Sequence, residues 1–238
     1  MIGTLVNVAT IVIGGALGSV MGSRIPERIR STVVSGLGLF TLAYGLSMFL
    51  DTQNALLVCG SLLIGALLGE WWRIEDGLTN LGIWLQTRFI RSDNAEDQGR
   101  FVKGFVMASL VFCIGPMAIL GSIQDGLTGD YNMLAVKSIL DGFAALAFAS
   151  SLGVGVIFSS VMIFVYQGSI TLLANQVQSI VTEPMMVEMN AVGGVIVMGI
   201  AIGSLLELRK IRIGSFLPAL VIAPLLVGLM TLLGVGLP

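Results

Sequence analysis

Residues 113–143, CIGPMAILGSIQDGLTGDYNMLAVKSILDGF, are the stretch of this chain most informative about chemistry, because ionisable groups stand there in and beside apolar runs. Lys137 and Asp141 stand four apart, so on a helix they share a face and can pair. Gln124 and Asp125 lie upstream, and Gly115-Pro116 interrupts the apolar run before them. Proline removes a backbone donor and clashes with the preceding turn, so a helix is expected to break or kink there. Two readings fit Asp141: a structural ion pair with Lys137, or a substrate or proton site. An ionisable group inside a bilayer is expensive and usually faces a partner or a water-filled cavity, which favours the second. Asp125 also fits a plain acid at a loop edge. Gln167 and Asn190, on other apolar segments, could add polar groups to the same place. The expected site is therefore Asp141, Lys137, Asp125, Gly115, Pro116, Gln124, Gln167 and Asn190, taking a small solute or ion.

Other chemistries find little support. With no histidine and no Cys-x-x-Cys, zinc and haem sites are excluded, although metal binding of other kinds stays open. Cys59 and Cys113 lie in apolar runs and suit small buried hydrophobes better than a disulfide. A serine nucleophile would need Lys137 as its base, no Walker loop or dinucleotide fingerprint is present, and no enzyme activity is expected. No cofactor is implied, and there is no basic surplus for nucleic acid, the net charge being −2.

The elements that must position these residues are membrane helices. Of 238 residues, 55% are hydrophobic and only 11% charged, against roughly 25% charged in a soluble domain. The mean hydropathy is +0.97. A helix crossing ~30 Å of hydrocarbon needs about 20 mostly apolar residues. Eight candidate spans follow, at 3–22, 31–50, 55–72, 104–123, 133–151, 154–175, 188–207 and 214–236. The first lacks a basic leader and is read as a retained helix, not a secretory signal. The apolar runs are continuous, which excludes the alternating pattern of barrel strands. The fold class is thus all-α, a polytopic integral membrane helix bundle. It is taken as one transmembrane domain, with short or broken helices near 113–155, where a Gly153-Gly155 turn should leave the fifth span short.

Orientation follows from the basic residues, which are retained in the cytoplasm. Arg24, Arg28 and Arg30 follow the first span. Arg73, Arg88, Arg91, Arg100 and Lys103 follow the third, and Arg209, Lys210 and Arg212 follow the seventh. Eleven of the twelve basic residues therefore fall on one side of the membrane, giving N-out and C-out termini in the inner membrane of a bacterial cell. The long connection at 73–103, flanked by Trp71-Trp72, reads as a cytoplasmic interfacial amphipathic segment with a polar turn near Ser92–Gln98.

Glycine recurs in a pattern. Gly60, Gly65 and Gly69 share their spacing with Gly194, Gly199 and Gly203, and Gly14, Gly18 and Gly22 echo it. Small residues four apart let helix backbones approach closely in lipid, so three such parallel helices could share one contact region. A loose correspondence between the segments after the first and seventh spans hints at an internal repeat.

Several long motifs also carry a resemblance. CIGPMAILGSIQDG at 113–126, KSILDGFAALAFASSLG at 137–153, YQG at 166–168, NAVGGVIVMGIAIG at 190–203 and KIRIGSFLPALVIAPLL at 210–226 together resemble the bacterial membrane family called domain of unknown function 554. The resemblance covers essentially the whole chain. It implies a multi-spanning bacterial protein with no established substrate, so it transfers no residue roles. From the residues themselves, the leading expectation is a transporter or channel for a small solute or ion. The alternative is a non-transporting scaffold or regulator that docks a partner through the 73–103 segment. The lipid bilayer is the one partner implied directly, and a homo-oligomer stays open.

Overall fold

A computed structural model of the protein describes residues 1–22, 26–89 and 95–233. Among these residues every regular element is helical. The order is α1 (Ile2–Gly22), α2 (Glu27–Leu50), α3 (Ala55–Trp71), α4 (Ile74–Phe89), α5 (Ala95–Cys113), α6 (Pro116–Thr128), α7 (Asn132–Leu152), α8 (Gly155–Leu172), α9 (Ala174–Gln178), α10 (Glu183–Ile200) and α11 (Ala219–Leu232). A π-helical turn, Ala201–Leu205, prolongs α10, and a 3₁₀ turn, Ile213–Phe216, precedes α11. Six helical stretches are long and apolar enough to cross a membrane. Two bent pairs, α3 with α4 at 57° and α5 with α6 at 63°, bring the number to eight when each pair counts as one span.

The chain is a membrane helix bundle, as its composition requires, and its departures from the expected boundaries have local causes. The fourth span is broken where Gly115-Pro116 predicts. Its first half, however, starts at Ala95, nine residues before the expected 104. Ala95, Glu96, Gln98 and Arg100 are good helix formers, so the helix extends into what was expected to be a polar turn. The 73–103 segment thus holds α4 and the beginning of α5. Within it, Leu85 of α4 packs with Phe101 and Phe105 of α5, while Trp84 stays exposed. The fifth span is not short: α7 has 21 residues, about 31 Å of helix, and Gly153 ends it with φ of 81°. The seventh span starts at Glu183, earlier than expected, because Pro184 suits a first helical turn. Both cysteines are free, and Cys59 is exposed, contrary to the buried position expected for it. Arg24, Arg91, Ser92 and the last residues of the 214–236 span lie outside the described residues.

The chain forms two compact units. The first contains residues 1–37 and 79–179; the second contains 38–78 and 180–238. In the first, α1 and α7 run parallel with their backbones in contact. A Cβ on Gly14, Gly18 or Gly22 would strike the carbonyl oxygens of Gly142, Leu146 and Ser150, three positions at the same four-residue spacing. In the second unit, Gly65 and Gly69 lie against Ala219 and Ser215, and Gly194 lies against Gly45. The α1 glycines thus meet α7, those of α3 meet Ser215 and Ala219, and those of α10 meet Gly45 and, at Gly199, Ile213, which neighbours the residues that α3 contacts. A Cβ on Gly60 would meet nothing within 4 Å.

The second unit also fixes its own ends. Glu188 of α10 is buried and accepts from the Thr52 hydroxyl at 2.6 Å and from the backbone N–H groups of Gln53 and Asn54 at 2.8 and 3.1 Å. Asn54 in turn caps α3 by accepting from Leu56 and Leu57 N–H. At the other end of α3, Glu70 and Asp76 pair with Arg212, the Ser215 hydroxyl donates to Glu70 and Gly214 N–H donates to Glu75.

Candidate functional site

The site grows out of the break between α5 and α6. In an α-helix the Phe112 carbonyl would accept from the N–H of residue 116. That residue is proline and has none. Gly115 turns the chain with φ of 132°, a conformation that L side chains rarely adopt, and Pro116 then opens α6, where its missing N–H removes nothing from the ladder. The Phe112 carbonyl is left without a helical donor inside an apolar segment. Lys137 of α7 supplies one, its Nζ donating to that oxygen at 2.9 Å.

The same ammonium forms an ion pair with Asp141 one helical turn further along α7. Asp141 Oδ2 also accepts from Asn7 Nδ2 of α1 at 3.0 Å, and that nitrogen donates to Gln167 Oε1 of α8 at 3.3 Å. Four side chains from three helices therefore meet beside the proline break, all within the first unit. Lys137 and Asp141 are 6% and 8% exposed, and Asn7 and Gln167 are fully buried. Asp141 is the tenth of 21 residues in α7, near the middle of that span.

The α1–α7 glycine seam positions the first of these contacts. Gly14 lies two helical turns beyond Asn7, on the same face of α1. Close backbone approach at Gly14, Gly18 and Gly22 brings that face onto α7 and carries Asn7 to Asp141. The small side of α1 also admits α8, with Ile157 seated against Gly15. Gln167 reaches Asn7 from that helix.

The network is incompletely satisfied. Asn7 Oδ1 and Gln167 Nε2 are buried and have no hydrogen-bond partner among the described residues. Both bonds to the Asp141 carboxylate fall on Oδ2. Buried polar groups are paired in the great majority of cases, so two unpartnered atoms beside one ion pair call for an explanation.

Of the expected site residues, Lys137, Asp141, Gln167 and the Gly115-Pro116 break come together. Asp125 does not join them. It is buried at the N-terminal end of α1, accepting from Gly3 N–H at 3.1 Å and lying 2.8 Å from the Met1 nitrogen. A carboxylate there meets free N–H groups and the positive end of the helix dipole, which accounts for it as an anchor of α1. Gln124 donates to Asp130 at 2.9 Å, at the loop end of α6. Asn190 belongs to the second unit, and its Oδ1 has no partner among the described residues. Asn7 is the member that the sequence pattern does not bring forward, yet it carries a signal: a lone amide in an apolar span, on the stripe of Gly14 and Gly18. Among the described residues no group of three or more His, Cys, Asp or Glu could hold a metal ion.

Comparison with known proteins places the chain among relatives of similar length. A protein of Escherichia coli (strain K12) named uncharacterized protein YqgA is 30% identical over 223 residues, covering 94% of each chain. One of Bacillus subtilis (strain 168), named uncharacterized membrane protein YdfK, is 29% identical over 231 residues, covering 95% of this chain and 96% of its own. No solved structure matches. The model of the family described as "Protein of unknown function (DUF554)" matches residues 2–228, and the chain belongs to that family.

Proposed function

We propose that this membrane protein is a transporter or channel for a small solute or ion, resident in the bacterial inner membrane, with its site at Asn7, Lys137, Asp141 and Gln167. The observation that supports this reading is the unfinished hydrogen bonding around a buried ion pair. A buried pair is weak evidence for stability, because well-packed apolar residues of similar volume often do as well or better. Two unpartnered amide atoms beside it add a desolvation penalty of about 1–3 kcal/mol each. A purely structural cluster has no use for that arrangement; a binding site does, since its ligand completes the bonding. A helix broken beside the cluster is also how secondary transporters expose backbone groups to a midplane site.

A mixture of candidate solutes tests the reading without a named substrate. Proteoliposomes holding the full chain are incubated with an isotope-labelled bacterial extract, and the accumulated compounds are identified by mass spectrometry. Accumulation above empty liposomes, lost in Asp141→Asn with the protein still folded, is the expected result. If nothing accumulates, or the variant matches the wild type, the transport reading fails and the scaffold alternative, with α4 exposing Trp84 as its docking element, takes its place.

A further inference from the structure

We infer that the cluster binds a small zwitterion, the ammonium-and-carboxylate head of an amino acid, by opening the Lys137–Asp141 pair. This rests on the site assignment above and goes beyond it by naming the ligand class.

The donor and acceptor census comes first. Asn7 Nδ2 spends both N–H groups, on Asp141 and on Gln167, while its Oδ1 accepts nothing. Gln167 Oε1 accepts from Asn7, while its Nε2 donates to nothing. Asp141 takes its bonds on Oδ2. Lys137 has three N–H groups, of which Phe112 and Asp141 take two. The cluster thus has acceptors unspent at Asn7 Oδ1 and Asp141 Oδ1, and donors unspent at Gln167 Nε2 and Lys137. A ligand that answers both kinds must itself carry donors and acceptors.

Charge narrows the class. Lys137 and Asp141 sum to zero, and a lone cation or anion would leave a net charge in the middle of a span. A zwitterion keeps the sum at zero. Its ammonium can take the Asp141 carboxylate and Asn7 Oδ1, and its carboxylate can take the Lys137 ammonium and Gln167 Nε2. Each protein charge keeps one anchor when the pair opens: Lys137 retains the Phe112 carbonyl, and Asp141 retains Asn7 Nδ2. The orphaned carbonyl made by Pro116 therefore holds Lys137 in place while its carboxylate partner changes. A neutral amide would satisfy Asn7 Oδ1 and Gln167 Nε2 but would gain nothing from the two charges.

The experiment is thermal unfolding of the purified full chain with glycine, L-alanine and L-serine, and with acetate, methylammonium and acetamide at matched concentrations. The zwitterions should raise Tm and the three single-function probes should not. Gln167→Met, which is close to Gln in shape and removes the unspent donor together with the oxygen that accepts from Asn7, should weaken zwitterion binding by about tenfold or more. Asn7→Leu should act in the same direction on the acceptor side. Protection by acetate, methylammonium or acetamide equal to that by glycine would overturn the assignment. So would no protection by any of the three amino acids, or equal protection of wild type and the Lys137→Gln, Asp141→Asn double variant. The extract uptake described above separates the two readings. Asp141-dependent accumulation of singly charged compounds alone would sink the zwitterion class and leave transport standing. Zwitterion protection without any accumulation would do the reverse.

Discussion

Lys137 and Asp141 sit in the order that is less favourable for a surface helix pair, with the base N-terminal to the acid. Their energetics are set by burial instead. Removing one partner leaves the other charge unpaired in a low-dielectric environment, a loss of about 3–5 kcal/mol, whereas removing both leaves no uncompensated charge. In a double-mutant cycle read by thermal unfolding in detergent, Asp141→Asn and Lys137→Gln should each lower stability, and the double variant should recover most of the loss. Uptake should stay abolished in the double variant despite that recovery. Full uptake in it would mean that the two charges serve only each other. At this scale the sequence was partly legible. The four-residue spacing predicted the pair, and the proline predicted the break, but nothing in the spacing tied Lys137 to the Phe112 carbonyl, which needs the bend to bring α5 and α7 into register. Asn7 escapes a reading of the sequence because a single amide in a span has no local partner, and its importance comes from residues more than a hundred positions away.

The helices are held by glycine at specific contacts. At Gly18 the facing atom is the Leu146 carbonyl oxygen, and at Gly65 the facing atoms are the backbone nitrogen and Cβ of Ala219 at 2.5 and 2.6 Å. Neither neighbour can move aside as a flexible side chain would. Gly18→Leu and Gly65→Leu should each destabilise the protein by about 1–3 kcal/mol, the usual range for overpacking. Gly199→Leu should be milder, because the nearest atom is the end of the Ile213 side chain at 2.8 Å. Gly60→Ala should leave stability unchanged or slightly raised, since the added Cβ meets nothing within 4 Å. Thermal unfolding of the four variants measures this order directly, and a Gly60 variant as damaged as Gly18→Leu would refute it. The recurring four-residue spacing was readable in advance as close helix approach. The partners were not, because spacing tells that a helix can be approached and says nothing about which helix does so. That is why the spacing did not reveal that the α1 glycines face α7, whereas those of α3 and α10 both reach residues between 213 and 219.

Across the whole molecule, hydropathy made the apolar helices legible: six described stretches can each cross a membrane, and the expected eight is reached when each bent pair counts as one crossing. Their ends were less so, because Pro184 at the start of α10, or helix formers such as those at 95–100, moves a boundary without changing the apolar count, whereas α3, capped by Asn54, begins where expected. The orientation we propose rests on charge alone. Within the second unit, α3 runs from the Glu188-bound turn at residues 52–54 to the acidic group that holds Arg212, a helix of 17 residues and thus about 25 Å. These two ends fall on opposite sides of an apolar layer. Basic residues resist translocation, so the Arg212 end should be cytoplasmic and the Glu188 end external. In intact cells, a membrane-impermeant thiol reagent should label Gln53→Cys, beside Asn54, and Gln178→Cys, both at exposed positions. It should not label Leu208→Cys near Arg212, which is exposed in the structure and becomes reactive once the membrane is permeabilised. Ser92→Cys should behave like Leu208→Cys. Background labelling of the native Cys59 is removed by a Cys59→Ser substitution, which the exposed position of that thiol should tolerate. Labelling of Leu208→Cys or Ser92→Cys in intact cells, with Gln53→Cys protected, would invert the orientation and move the basic loops to the outside.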